Sequence, residues 1–139
     1  MSGLFLQRFD ATGTLGTTLR PSVSPISEAL AADSDGGNVV VLHSGSSGVR
    51  LSAIGTLGAA IWTTPLRASG FVGTVGVLGS EIWTSFTDGT ALRVRAIDGR
   101  PFGESYPYNC EAFVQGLPTS ALRGFCVASP NLVPISRCP

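Results

Sequence analysis

This sequence predicts an all-β fold built from repeated four-stranded antiparallel units, on three observations. First, one segment recurs. GLFLQRFDATG at Gly3–Gly13 returns as GVRLSAIGTLG at Gly48–Gly58, and shortened as TALRVRAIDG at Thr90–Gly99. The copies start at residues 3, 48 and 90, a period of 45 and then 42 residues. Second, the chain between the copies consists of short strand-like runs with glycines at nearly every junction. Third, period-2 alternation within the aligned copies keeps one face apolar. That face holds Leu4 and Leu6 (then Arg8), then Val49, Leu51 and Ala53, then Leu92, Val94 and Ala96. A fixed period of this size filled with short strands is what a β-propeller blade looks like in sequence.

Each element follows from its residues. With the strands of a blade lettered A to D from the centre outward, strand A falls at Ala29–Ala32 and again at Phe71–Val77. Strand B falls at Asn38–Ser44 and Glu81–Phe86. The turn-forming cluster Asp33–Gly37 separates A from B in the first full blade. The recurring segment is strand C, at Val49–Ile54 and Leu92–Ile97. Strand D is Ile61–Leu66, then a weaker run near Tyr106. The second face of strand C reads Phe5, Gln7, Phe9, then Arg50, Ser52, Ile54, then Arg93, Arg95, Ile97. It is mixed rather than polar, as expected of a sheet sandwiched between two others. A two-layer sandwich wants a cleaner polar outer face, so the propeller is favoured over a β-sandwich or β-solenoid.

The order along the chain is C-D, A-B-C-D, A-B-C-D, A-B-C, the last C strand starting at Asn131. The chain is read as a single β-repeat domain over residues 1–139, with units 3–47, 48–89, 90–130 and a partial unit 131–139. About three blades are fewer than a closed ring needs. The expected form is therefore open or fragmentary: a homodimer, or part of a longer repeat array, with the fragment reading preferred.

Composition narrows the function classes. The chain is 43% hydrophobic and 13% charged, so it is globular rather than disordered. Nine basic residues balance nine acids. A phosphate-tracking surface needs a positive excess, so nucleic acid is not an expected partner. The stretch from Ile54 to Trp83 is the most apolar, but Pro65, Arg67, Glu81 and several Gly and Thr interrupt it, so no membrane span is expected. The N-terminus lacks the charge and apolar run of a signal peptide. The expected location is the cytoplasm if the chain is complete, or the cell surface or exterior if it belongs to a longer secreted protein.

Cys110, Cys126 and Cys138 lie in the last third, with no C-x-x-C spacing and a single His43. A hairpin about Pro118 and Thr119 places residue 126 opposite residue 111. Buried thiols are the preferred reading, and a Cys110–Cys126 disulfide is geometrically open to an oxidising compartment.

The first unit, Gly3–Gly16, resembles repeats of large bacterial surface and secreted proteins that read G-I-x-x-Q-R-F-D-A-x-G-x-x-L-G. In those repeats a segment like D-G-G-F-V-V-V-W follows. Asp35–Leu42 (DGGNVVVL) stands in that place, with Leu42 where Trp is usual and a Trp kept in the next copy at Trp83. The resemblance implies propeller blades in adhesin-like proteins and a bacterial surface context, and it transfers no catalytic residues.

The candidate chemistry is sparse. Asp33, Asp35 and Asn38 are half of a calcium loop, short of the six or more oxygens calcium takes, so an Asp-Gly turn is preferred. His43 and Ser44 have no nucleophile elbow around them, and a strand-end histidine is preferred. Trp62, Trp83, Tyr106 and Tyr108 would be sugar-stacking platforms in a lectin, but core packing between blades is the preferred reading. Arg50, Arg93 and Arg95 share a strand face and could pair with Asp10, Asp98 or Glu104 or form an anion patch, but partly exposed arginines packing their stems over neighbouring strands are the preferred reading. No catalytic set, metal site or cofactor is expected, and ligand-binding residues stay unassigned. The function expected is a non-enzymatic structural or recognition module, with a carbohydrate-binding lectin as the alternative and a protein or glycan as its ligand.

Overall fold

A computed structural model of the chain describes residues 4–21, 23, 28–34, 37–46, 48–67, 74–86, 90–106, 110–116 and 121–136. They form antiparallel strands and turns in four sheets. The first sheet pairs β1 (Leu6–Phe9) with β2 (Leu15–Leu19). The second runs β3 (Glu28–Ser34), β4 (Val39–Gly45), β5 (Gly48–Ile54) and β6 (Ala60–Arg67) in spatial order. The third holds β7 (Thr74–Leu78), β8 (Glu81–Ser85), β9 (Ala91–Arg95) and β10 (Pro101–Tyr106) in the same order. The fourth holds β11 (Ala112–Gln115), β12 (Leu122–Ala128) and β13 (Asn131–Ser136). The order C-D, A-B-C-D, A-B-C-D, A-B-C is thus observed, although the segment 71–73 expected to open strand A lies outside the described residues.

The sheets stack face to face. Leu42, Val49 and Leu51 of the second sheet pack with Val75, Val77, Ile82 and Val94 of the third in one buried cluster. Leu78 and Trp83 of the third pack with Cys126 and Ile135 of the fourth in another. β5 is buried on both faces, Leu51 on one side and Ser52 and Ile54 on the other. This burial is why its sequence lacks a polar face. The innermost strands also touch, β3 against β7 and β7 against β11. Among the described residues the sheets share no strand, and none closes.

Two devices set the spacing between sheets. Gly76 on β7 lies against the Phe113 ring of β11, with no room for a Cβ. Asp33 on β3 reaches across to β7, where the Val77 N–H donates to its Oδ2 at 2.7 Å. The last residue of each repeated segment, Gly13, Gly58 and Gly99, takes a positive φ of 84°, 86° and 69° in the turn from strand C to strand D. In the first and second copies the turn closes identically, Asp10 N–H to Thr14 O and Gly55 N–H to Ala59 O. The repeat is therefore a repeat of turn chemistry as well as of strand pattern.

Cys110 and Cys126 form a disulfide, which corrects the preference for free thiols. The register differs from that expected: Cys126 stands opposite Phe113, with Ala112 opposite Val127. Cys110 precedes the strand and reaches Cys126 diagonally, with its Cα 5.3 Å away. Cys138 lies outside the described residues.

Candidate functional site

The polar and aromatic residues singled out in the sequence are mostly drawn into packing. His43 is 1% exposed, and its Nε2 shares a 2.8 Å hydrogen bond with Ser52 Oγ rather than with Ser44. Ser52 Oγ is in turn 2.8 Å from Thr63 Oγ1, so a polar chain crosses β4, β5 and β6 inside the sheet. Burial is the main force holding the imidazole pKa below its usual value, and Arg50 adds to it. Among the described residues nothing hydrogen-bonds His43 Nδ1, so no acid orients this ring as a general base.

The two tryptophans have separate tasks. Trp83 is 3% exposed and its Nε1–H donates to Glu81 Oε2 at 3.2 Å. A face so covered offers no sugar platform. Trp62 is half-buried, and its Nε1–H donates to Ala96 O at 2.9 Å. Its ring lies over Gly99, and the Thr64 hydroxyl donates to Gly99 O at 2.5 Å. Strand D of the second sheet thereby grips the C–D turn of the third. The side chain of Tyr106, and all of Tyr108, lie outside the described residues, as do Asp35 and the side chain of Glu104.

The arginines also find partners other than those expected. Arg93 Nη1 is 3.3 Å from Glu81 Oε1, and Arg123 Nε is 3.2 Å from Glu81 Oε2. Both guanidinium groups and the carboxylate are largely withdrawn from solvent. Arg93 also stacks over Phe102 at 4.2 Å. Arg95 does pair with Asp98, at 2.6 Å. Both carboxylate oxygens of Asp33 accept backbone N–H groups, from Ser34 and Val77. Asp33 therefore acts as a clasp between sheets. No group of three or more His, Cys, Asp or Glu side chains suited to a metal ion occurs among the described residues.

A concavity lies where the second and third sheets meet, at the end carrying the A–B and C–D turns. It is a groove of about 510 Å³ lined by Asn38, Ser80, Arg95, Ala96, Ile97 and Phe102. Its floor is fixed by the Ala96 N–H donating to Ser80 O at 2.9 Å and by Trp62 on Ala96 O. Ile97 stands on the rim, 79% exposed. Apolar walls with a few polar groups suit recognition by shape and hydrogen bonding. Sequence reasoning singled out Asn38 for calcium and Arg95 for ion pairing, and left Ser80 and Phe102 unnoticed. Their only signal is position, since each sits where a strand meets a turn of this end.

The sequence matches no family model and no curated protein. Solved structures do match. BamB from Moraxella catarrhalis, a β-propeller protein, aligns over 82% of this chain with a TM-score of 0.51 and 16% identity. The architecture is propeller-like. At that identity the likeness concerns the fold alone, and the chain spans about a third of BamB's length, 34%.

Proposed function

We propose that this chain is a non-enzymatic structural or recognition module of the β-propeller type, belonging to a bacterial surface or secreted protein. One observation carries the reading: among the described residues, the buried groups that chemistry would use are committed to holding sheets together. His43 is sealed in a hydrogen-bonded chain, Glu81 is held between two arginines, and Asp33 is bonded to backbone. Accessible among the described residues is a groove with apolar walls, suited to binding without turnover. The buried Cys110–Cys126 disulfide supports an extracytoplasmic location, because such bonds persist in oxidising compartments. The bacterial surface context rests on the resemblance at Gly3–Gly16, and the propeller-like fold shared with BamB is consistent with a binding scaffold.

Two assays test the reading together. Chain exported to an oxidising compartment should resist thiol alkylation at Cys110 and Cys126, and should turn over no ester, phosphate or glycoside substrate. Catalysis abolished by His43→Ala would overturn the non-enzymatic assignment. Reproducible binding on a glycan array, lost in Trp62→Ala, would replace the general module with a lectin.

A further inference from the structure

We propose that the groove between the second and third sheets receives a polypeptide chain end: an apolar C-terminal residue whose free carboxylate is held by Arg95. The inference rests on the recognition-module reading above and adds the chemistry of the partner. The groove, about 510 Å³, is lined by residues from Asn38 to Phe102. Both sheets that form it have a neighbouring sheet of the chain on either side. The site therefore does not depend on the first or last sheet.

Arg95 supplies the charge. It stands opposite Glu81 across β8 and β9, and its Nη2 is 2.6 Å from Asp98 Oδ2. Asp98 is itself anchored, because its Oδ1 accepts the Arg100 N–H at 3.1 Å. The guanidinium is thus held by one edge, with its side chain 47% exposed. A guanidinium carries more N–H donors than one carboxylate oxygen uses, and among the described residues Asp98 is the acceptor that this fork meets. The planar donors left over match a second carboxylate. Charge then sets the valence. Asp98 Oδ2 is also 3.6 Å from Arg100 Nε, so two guanidinium groups share one carboxylate at this turn. A carboxylate ligand supplies the missing single charge, whereas a doubly charged phosphate exceeds it.

Ser80 adds a second donor. It precedes Glu81, which places it beside Arg95 and Ala96, and the Ala96 N–H donates to its carbonyl at 2.9 Å. Its Oγ accepts from Arg123 Nη1 at 3.3 Å, which leaves the hydroxyl proton to donate. The apolar residue of the ligand meets Ala96, Ile97 and Phe102. The Phe102 ring is held in place by Arg93, stacked over it at 4.2 Å. Ser80, Arg95 and Ile97 are all exposed, so the groove is open along its rim. Sites for small molecules enclose most of the ligand surface. A free small acid would stay largely in water here, whereas a chain end gains further contact through the residues that precede it.

Titration of the whole chain by calorimetry and chemical-shift mapping tests this, with an acetylated glycine–serine hexapeptide ending in Leu-Phe as the probe. Its free acid should bind saturably and shift the amide resonances of Ser80, Ala96 and Ile97. Its C-terminal amide should bind about tenfold more weakly, the scale of a hydrogen bond to a charged group. Arg95→Gln should bind acid and amide alike. Ile97→Ser should weaken both while keeping the preference for the acid. Both positions are exposed, so both variants should keep the wild-type β spectrum. Arg95→Lys, which keeps the charge without the fork, should show an intermediate preference and stands in if the glutamine variant misfolds. The proposal is overturned if the acid does not bind, if acid and amide bind wild-type chain alike, or if Arg95→Gln retains the preference. It is overturned equally if phenylpropionate or phenyl phosphate binds as tightly as the peptide acid. A folded chain that binds no peptide and turns nothing over would leave the module reading standing, whereas turnover would remove that reading whether or not the peptide binds.

Discussion

Gly99 is placed where two demands meet. Its φ of 69° disfavours a side chain, and the Trp62 ring and Thr64 hydroxyl occupy the space a Cβ would take. Gly99→Ala should therefore cost about 2–3 kcal/mol, from overpacking and the left-handed backbone together, read as a lowered denaturant midpoint. The glycine was legible in the sequence because it ends each repeat, at Gly13, Gly58 and Gly99, but its clasp was not, because Trp62 lies 37 positions earlier in another sheet. Glu81 was hidden for the same reason: Arg93 and Arg123 reach it across a strand and a sheet boundary. His43 makes the pH prediction. Its folded pKa lies below the unfolded value of about 6.5, so the unfolded chain takes up the proton first as pH falls. Stability should be intact above about pH 6.5 and decline below it. Urea midpoints at pH 7.5 and pH 5 check this. His43→Gln should flatten the difference, and an equally steep loss in that variant would assign it to other groups.

At the scale of elements, strand placement followed from pattern, because period-2 alternation and turn glycines are local properties. Register is less local. β11 pairs with β12 so that Cys126 stands opposite Phe113 instead of residue 111, and hairpin register follows loop length, which strand alternation alone does not give. The disulfide links the entry of β11 to β12 across 16 residues, and the Ser85 hydroxyl donates to Cys110 O at 2.7 Å, tying that entry to β8. Removing the bond with Cys110→Ala and Cys126→Ala should cost about 3 kcal/mol on a chain-entropy view of a loop this size. The loss should fall chiefly on β11–β13. Hydrogen exchange can localise it: faster exchange confined to the fourth sheet is expected, and uniform acceleration would mean that all the sheets melt as one unit.

For the whole molecule, the period of 45 and 42 residues made the stack legible, since a segment that recurs with the same faces must meet equivalent neighbours. The groove between the second and third sheets was not legible. It arises from turns brought together by stacking: Asn38 and Ser80 from one kind of turn, Ile97 and Phe102 beside the other. Consecutive sheets from the second to the fourth stack with their innermost strands adjacent, and the outer strand of the second clasps the third. Nuclear Overhauser contacts in isotopically labelled chain test it most directly, at the Gly76–Phe113 approach and the Trp62–Gly99 clasp. Cross-peaks should appear from the Phe113 ring to the Gly76 α protons and from the Trp62 indole to the Gly99 α protons. A well-dispersed spectrum lacking both would contradict this stacking.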